Sequence, residues 1–172
     1  SRIKALDGEL LELGRSCARR DFRHRAPIPL MWEAIPEHVG SHKVRHLFGC
    51  GSLYSTDVGE VSAVYSLLKS KYHAGEKYQV RPISRCVFPD VRDDLPVADE
   101  TALFQKLPGL IKAYLRIGAL VCGPPARDDE FGRADFFLLL DFAKLKEEYL
   151  KRLGLADPAD LVPVRLRRAP SC

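Results

Sequence analysis

The hydrophobic pattern of the first part of the chain predicts a strand, a helix and a second strand. Leucines at 10, 11 and 13 begin a short buried strand, Leu10 to Ala18, and a loop rich in arginine follows it. The segment APIPLMWEAI then predicts a helix, because a proline in the first turn of a helix loses no hydrogen bond. A second apolar strand is expected from Val44 to Tyr54. Two strands joined through a helix predict a parallel pair.

The pattern then changes from strands to helices. Thr56 is a candidate N-cap, and apolar residues recur at helical spacing from Val61 to Leu68. Residues 74–100 contain three prolines and no periodic signal, so they predict a long surface connection. The segment ALFQKLPGLIKAYLRIG carries an apolar stripe that predicts one amphipathic, basic helix ending at Gly118.

The last part of the pattern predicts two strands and a helix, so that the chain as a whole is expected to have an α/β fold. ALVCGPPA and ADFFLLLDF are the expected strands, and KLKEEYLKRL is the expected helix. We expect one domain over residues 1–155, with residues 156–172 as an unstructured tail.

Composition and cysteine count indicate a soluble globular protein. Hydrophobic residues make up 46% and charged residues 29% of the 172 positions, and no apolar run reaches the ~18 residues that span a bilayer. The five cysteines form no C-x-x-C pair, and their odd number argues against a disulfide framework or a zinc site. We therefore expect a reducing, cytoplasmic environment.

The charge pattern favours local anion binding over nucleic acid. The net charge of +4 is mild, but cations are concentrated around residues 15–25, 42–46 and 165–168. His38, His42 and His46 recur every four residues, as metal ligands on one helix would. Because Gly40 and the adjacent turn are expected to break such a helix, we predict no metal site.

Five segments, in order, resemble one known family. They are the strand LLELGRSCA, the loop RRDFRHR, the strand HLFGCGSLYSTD, the helix LPGLIKAYLRIGA and the strand pair ALVCGPPARDDEFGRADFFLLLDF. Together they are similar to the ornithine acyl-ACP N-acyltransferase group of the GNAT superfamily, a group long labelled hemolysin-like. The similarity runs from about Leu10 to Leu153, and LPGLIKAYLRIGA is its most specific part.

The resemblance implies a GNAT-like fold, in which helices flank a mixed central sheet. Members of the family carry the first strands and helices of the fold ahead of the LELGRSC strand, so we expect these front strands to be absent from this chain. An apolar strand with a free edge would then seek a partner. We therefore expect a homodimer or pairing with a missing N-terminal segment.

The resemblance also implies an N-acyltransferase of lipid biosynthesis. Such an enzyme moves a fatty or 3-hydroxyacyl group from the phosphopantetheine thioester of acyl carrier protein to the amine of an amino acid such as ornithine, without a permanently bound cofactor. One alternative is an N-acyl amino acid synthase or acyl-homoserine-lactone-type synthase. Another is a non-catalytic half-domain that only binds acyl carrier protein or membrane.

The basic loop is the candidate site for the acyl donor. In the fold that the resemblance implies, the central strand separates from its neighbour, and the next loop and helix N-terminus receive the donor phosphate. Ser16 and Cys17 would bind the pantetheine arm, and backbone N–H groups near them would stabilise the oxyanion of the acyl transfer. Arg20, Arg23 and Arg25 would bind the phosphate. The loop lacks glycine, which favours side-chain capture of one phosphate and hence acyl carrier protein over acyl-CoA. A solvated charged turn is the alternative.

Glu12 and Arg15 are the candidate catalytic residues. Their E-x-x-R spacing is similar to that of acyl-homoserine-lactone synthases, which are GNAT relatives. Residues i and i+3 of a regular strand face opposite sides, but a bulge near Gly14 would bring both to one side. Glu12 would then accept a proton from the attacking amine, and Arg15 would orient it or hold a carboxylate. A surface glutamate at a strand end is the alternative.

Two further pairs complete the candidate residues. Ser52 and Tyr54, at the end of the second strand, are expected to bind the acceptor, with turn capping as the alternative. Lys112 and Arg116 lie on the basic face of the amphipathic helix, where they would contact acidic carrier protein or anionic lipid headgroups. A solvated face is the alternative there. Any membrane contact is expected to be peripheral, on the inner face.

Overall fold

The strands and helices of the protein are described by a computed structural model that covers residues 3, 6–14, 19–25, 35, 38–39, 41–42 and 44–145. In chain order they are β1 (Glu9–Glu12), β2 (Val44–Leu53), α1 (Val58–Tyr72), α2 (Glu100–Lys106), α3 (Gly109–Arg116), β3 (Leu120–Val121), β4 (Ala126–Asp128) and β5 (Arg133–Asp141). Short 3-10 helices lie at Arg20–Arg25, Glu76–Tyr78, Ser84–Cys86 and Phe142–Lys144.

The five strands form one open, mixed sheet. Its order is β1-β2-β5-β3, and β4 also pairs with β5. β1 and β2 run parallel, whereas β5 is antiparallel to its three partners β2, β3 and β4. The predicted α/β fold and the predicted parallel pair are therefore confirmed.

One face of the sheet is covered by helices α1 and α3. Alternate residues of β5 point to this face, and Phe136 and Leu138 are buried there against Leu68 of α1 and Ile111 of α3. Gly51 of β2 lies under α3, since an added Cβ would come within 2.8 Å of Ile111 Cγ1. Each fully buried apolar side chain contributes about 1.5–3 kcal/mol, so this layer supplies much of the fold's stability.

The described residues pack against only part of the opposite face of the sheet. Leu10 of β1, Phe48 of β2 and Leu139 of β5 pack there with Tyr78 from the connecting segment. Further along β2, Cys50 is exposed. We call this second surface the open face; its part around Cys50 is formed by Glu12, Phe48, Cys50, Ser52, Asp135 and Phe137.

Three local boundaries in the helical part of the chain differ from the sequence expectations. The single amphipathic helix expected over ALFQKLPGLIKAYLRIG is two helices, because Pro108 forces Leu107 out of the helical region, to ψ 144°. The N-cap of α1 is Asp57 and not Thr56; its carboxylate accepts a 2.7 Å hydrogen bond from the Glu60 N–H. The connection over residues 74–100 is not wholly on the surface, since Phe88 is buried in the core.

Other expectations lie outside the described residues. These are most of the helix expected from APIPLMWEAI, the last helix KLKEEYLKRL beyond its first residues, and the boundary between a domain and a tail at residue 155. β1 ends at Glu12, and the expected continuation of this strand through residues 15–18 is likewise not described. None of the described helices has the length and apolar character needed to cross a membrane.

Candidate functional site

The described pairing between the two parallel strands stops partway along β2. The register of β1 with β2 runs as far as Glu12 opposite Phe48, and the Leu13 N–H then donates a 2.8 Å hydrogen bond to the Phe48 carbonyl oxygen. β2 itself continues to Leu53. The last five residues of β2 thus extend beyond the described end of β1.

A very close backbone contact marks this point. A Cβ added to Gly49 would lie 2.7 Å from the Leu13 carbonyl oxygen, so only glycine fits. Beside it is a narrow apolar crevice of about 10 Å³, lined among others by Leu13, Gly49, Tyr114 and Leu140. Burial raises the pKa of Tyr114 above its ordinary value. The crevice holds no more than about one water in this conformation.

The open face carries the polar groups nearest to this point. Ser52 Oγ donates a 2.6 Å hydrogen bond to Asp135 Oδ1 across the β2–β5 pair, and Asp135 is half-buried. Glu12 is exposed at the end of β1, and its Oε1 lies so near Gly14 that an added Cβ would come within 2.7 Å. No cation of the described chain lies within ion-pairing distance of either carboxylate.

Cys50 lies between these carboxylates on the open face. Desolvation by the surrounding protein raises the pKa of its thiol, and the charges of Asp135 and Glu12 raise it further. A protonated thiol is a poor nucleophile, so Cys50 does not suit covalent catalysis at neutral pH. Phe48 and Phe137 stack beside it, with ring centroids 5.5 Å apart and planes at 16°. No sequence pattern pointed to Cys50 or Asp135.

The catalytic pair expected from E-x-x-R is only half described. Glu12 lies on the open face, since Leu10 packs there and strand residues alternate. Arg15 lies outside the described residues, so its side relative to Glu12 stays a prediction. The irregular register of β1 and β2 lies between Glu9 and Leu10, at the start of β1. The described residues show no irregularity near Gly14, where the bulge was expected.

The basic loop forms a 3-10 helix over Arg20–Arg25. Arg19 is paired within the loop, because its Nε donates to Asp21 Oδ1 at 2.9 Å and its guanidinium lies 4.9 Å from the centroid of the Phe22 ring. Arg20 is exposed and has no ion pair with a described residue. The side chains of Arg23 and Arg25 lie outside the described part, as do Ser16 and Cys17 altogether.

The remaining candidate residues differ in whether their side chains already form hydrogen bonds with described residues. Tyr54 follows the end of β2 and is 78% exposed, whereas Ser52 is bonded to Asp135. Lys112 Nζ donates a 2.8 Å hydrogen bond to the Gln105 carbonyl oxygen and so joins α3 to the end of α2. Arg116 is exposed. Of the two expected basic residues, Lys112 is therefore bound to a backbone carbonyl group, whereas Arg116 is bound to none among the described residues.

A second polar cluster lies at the other end of β2 and β5. Arg45 Nε donates a 2.8 Å hydrogen bond to Asp141 Oδ1, and His46 Nε2 lies 3.8 Å from Asp141 Oδ2. Burial lowers the pKa of the buried His46, as do the charges of Arg45, Lys77 and Lys144, while Asp141 opposes them. The neutral imidazole is therefore favoured at neutral pH, which suits a structural role.

The three regularly spaced histidines do not converge. His38 and His42 have helical backbone, and their rings stack with centroids 4.1 Å apart. Gly40, where a break was expected, lies outside the described residues. His46 belongs to β2. Among the described residues, no group of three His, Cys, Asp or Glu side chains is arranged to hold a metal ion.

A larger cavity among the described residues lies away from the open face. It has a volume of about 420 Å³ and lies between α1, the segment around residues 79–93 and Pro124 and Pro125. Its one carboxylate, Asp93, is already paired with Lys69 at 2.5 Å. Burial raises the pKa of Tyr65, in its wall, to about 12. This cavity offers space without the free acid–base group that the open face has in Glu12.

Comparison with known proteins relates the chain to ornithine acyltransferases. It is 34% identical over 150 residues to the L-ornithine N(alpha)-acyltransferase of Rhodobacter capsulatus, covering 86% of this chain and 56% of that protein. The proteins of the same name from Brucella abortus and Rhizobium meliloti are 31% and 27% identical, each over 84% of this chain. The chain spans about half the length of the curated relatives it matches. No family model matches the chain. No solved structure matches it either.

These relatives agree in part with the resemblance seen in the sequence. Their names support an acyltransferase relationship and ornithine as the acceptor in those proteins. The names do not mention the GNAT superfamily, acyl carrier protein or a lipid pathway.

Proposed function

We propose that this chain belongs to an N-acyltransferase that transfers an acyl group to the α-amino group of ornithine. The observation that carries the proposal is the similarity to L-ornithine N(alpha)-acyltransferases over 84–86% of the chain. The open mixed sheet supports it, because the described pairing of β1 with β2 ends beside an exposed carboxylate. This arrangement is also consistent with the GNAT-like fold that the sequence resembles.

Glu12 is the proposed proton acceptor. The neutral amine attacks the thioester carbonyl carbon, and collapse of the tetrahedral adduct breaks the C–S bond and releases the thiolate. The attacking nitrogen must lose a proton in this process, and an exposed carboxylate with no ion-pair partner in the described chain is suited to accept it. Backbone N–H groups near Ser16 and Cys17, which are proposed from the sequence alone, would stabilise the oxyanion.

The proposed donor is an acyl-phosphopantetheine thioester on acyl carrier protein, which would make the reaction a step of lipid biosynthesis. Exposed Arg20 supports this, as a cation of the basic loop without a described acid partner. Arg23 and Arg25 are proposed from the sequence to bind the same phosphate. Exposed Arg116 is the proposed contact with the carrier or with anionic lipid headgroups of the inner membrane face.

A partner for the outer edge of β1 is also proposed. β1 is the terminal strand of the described sheet, and its outer edge has no partner strand among the described residues. A free edge readily accepts another strand. A second copy of the chain or an N-terminal segment of the same protein would supply it, as the sequence leads us to expect.

The test uses the full polypeptide that the gene encodes. Lipid mass spectrometry of cells that express it should detect N-acyl-ornithine, and the purified protein should form it from acylated acyl carrier protein and ornithine. Glu12→Gln should lower kcat by about 10²–10⁴-fold, the usual contribution of a general base. Glu9→Gln is the matched control, since Glu9 is an exposed glutamate on the same strand.

Two outcomes would contradict the proposed reaction, and a third would contradict the role of Glu12. Acylation of another amine with no reaction of ornithine would favour an N-acyl amino acid or homoserine-lactone-type synthase. Binding of the carrier protein without turnover of any amine would favour a non-catalytic half-domain. Equal activity of the Glu12 and Glu9 variants would remove Glu12 from the mechanism.

A further inference from the structure

The Ser52–Asp135 pair has no structural task that explains a charged group at this position. Asp135 lies on β5 in register with Ser52 of β2, and Ser52 Oγ donates to Asp135 Oδ1 at 2.6 Å. The hydroxyl fixes the orientation of the carboxylate and leaves Oδ2 without a hydrogen-bond donor among the described residues. An asparagine would serve a purely structural cross-strand pair as well as an aspartate does.

The charge of Asp135 is not compensated within the described chain. Asp135 is half-buried, and no Lys, Arg or His of the described residues lies within 4.0 Å of its carboxylate. By contrast, the buried Asp141 at the other end of β5 is held by Arg45 at 2.8 Å. A partly desolvated carboxylate gains most from a cationic ligand that donates hydrogen bonds to it.

Asp135 and Glu12 lie on the same face of the sheet. Glu12 is in register with Phe48, and Asp135 is in register with Ser52. They are therefore two strand spacings and four residues apart, which corresponds to about 16 Å between their Cα atoms. The stacked rings of Phe48 and Phe137 lie on the face between them and offer an apolar floor for a methylene chain.

We propose that Asp135 binds the side-chain ammonium of the acceptor amino acid and thereby selects a diamino acid such as ornithine. The inference rests on the proposed function, in which the α-nitrogen is the acylated atom. The side-chain amine then remains a spectator, and with an ordinary pKa near that of lysine, ~10.4, it is positively charged at neutral pH. Ser52 is a positioning residue that orients the Asp135 carboxylate towards this ammonium.

The test compares two acceptors that differ only in the side-chain amine. Ornithine and norvaline are assayed with the full polypeptide and its Asp135→Asn variant, which preserves shape and removes the charge. We expect the variant's kcat/KM for ornithine to fall about 10- to 100-fold, while kcat/KM for norvaline stays within about twofold. The KM for the acyl donor should not change. Glu130→Gln removes an exposed carboxylate from the neighbouring turn and should change neither acceptor's kinetics.

Ser52 provides a second, graded test. Ser52→Ala should raise KM for ornithine with little effect on norvaline, whereas Ser52→Thr, which keeps the hydroxyl, should restore most of the loss. An alanine variant that affects both acceptors equally, with no rescue by threonine, would assign Ser52 a structural role only.

The outcomes separate this inference from the proposed function. If the unmodified protein acylates neither acceptor, the proposed function fails. If it acylates ornithine and Asp135→Asn weakens ornithine and norvaline to the same extent, the function stands and the role of Asp135 is wrong. The same conclusion follows if the unmodified protein does not distinguish ornithine from norvaline.

Discussion

Replacing Gly49 by alanine should destabilise the protein where β1 meets β2. The added Cβ would lie 2.7 Å from the Leu13 carbonyl oxygen, whereas unstrained C···O contacts are about 3.3 Å or longer. The obstacle is backbone and not a flexible side chain, so one of the two strands must move by about half an ångström. That movement strains the 2.8 Å hydrogen bond from the Leu13 N–H to Phe48.

The expected magnitude follows from three terms. Overpacking costs about 1–3 kcal/mol, and weakening of one backbone hydrogen bond adds about 0.5–1.5 kcal/mol if the bond is lost. The lower conformational entropy of an unfolded chain with alanine offsets about 0.4–1 kcal/mol. We expect a net loss of about 1–2 kcal/mol in the free energy of unfolding, or about 2–8 °C in Tm for a domain of this size.

Urea unfolding followed by circular dichroism measures this loss, with an unchanged m-value as the sign that the folded state is otherwise intact. Gly109→Ala is the control, because nothing lies within 4 Å of its added Cβ and the residue is helical. That variant should be neutral or more stable by up to about 1 kcal/mol. If Gly49→Ala were as stable as Gly109→Ala, the close approach of Leu13 to Gly49 would be refuted.

Two further predictions concern the donor and pH. Arg23→Ala should lower kcat/KM for the acyl donor about 10- to 100-fold, while the KM for ornithine stays unchanged. Added salt should weaken binding of the carrier protein. A variant with normal donor kinetics would make the loop an ordinary charged turn. Because the folded-state pKa of His46 is lowered from 6.5, unfolded chains bind more protons below that pH. The free energy of unfolding should therefore be fully retained above about pH 6.5 and fall as the pH drops through the folded-state pKa. His46→Gln should flatten this pH dependence in urea titrations. An unchanged slope of unfolding free energy against pH in the variant would contradict the prediction.

The sequence by itself determined those features that depend on neighbouring residues. The apolar run of β2, the helical spacing of α1 and the parallel relation of β1 to β2 all followed from local periodicity and from the connection between the strands. The break between α2 and α3 was also encoded locally, in Pro108, but the continuous apolar stripe obscured it. The family resemblance came from short motifs in a fixed order, which the similar proteins support.

The open face was decided only by the tertiary structure. Ser52 and Asp135 are 83 positions apart in sequence, and Arg45 and Asp141 are 96 apart, so no local pattern could pair them. The register of β2 against β5 brings both pairs together, and a slip of one residue would send each side chain to the other face. The sequence therefore contained the charged groups of the site, whereas the antiparallel register determined which of them are paired and which carboxylate on the open face has no cationic partner among the described residues.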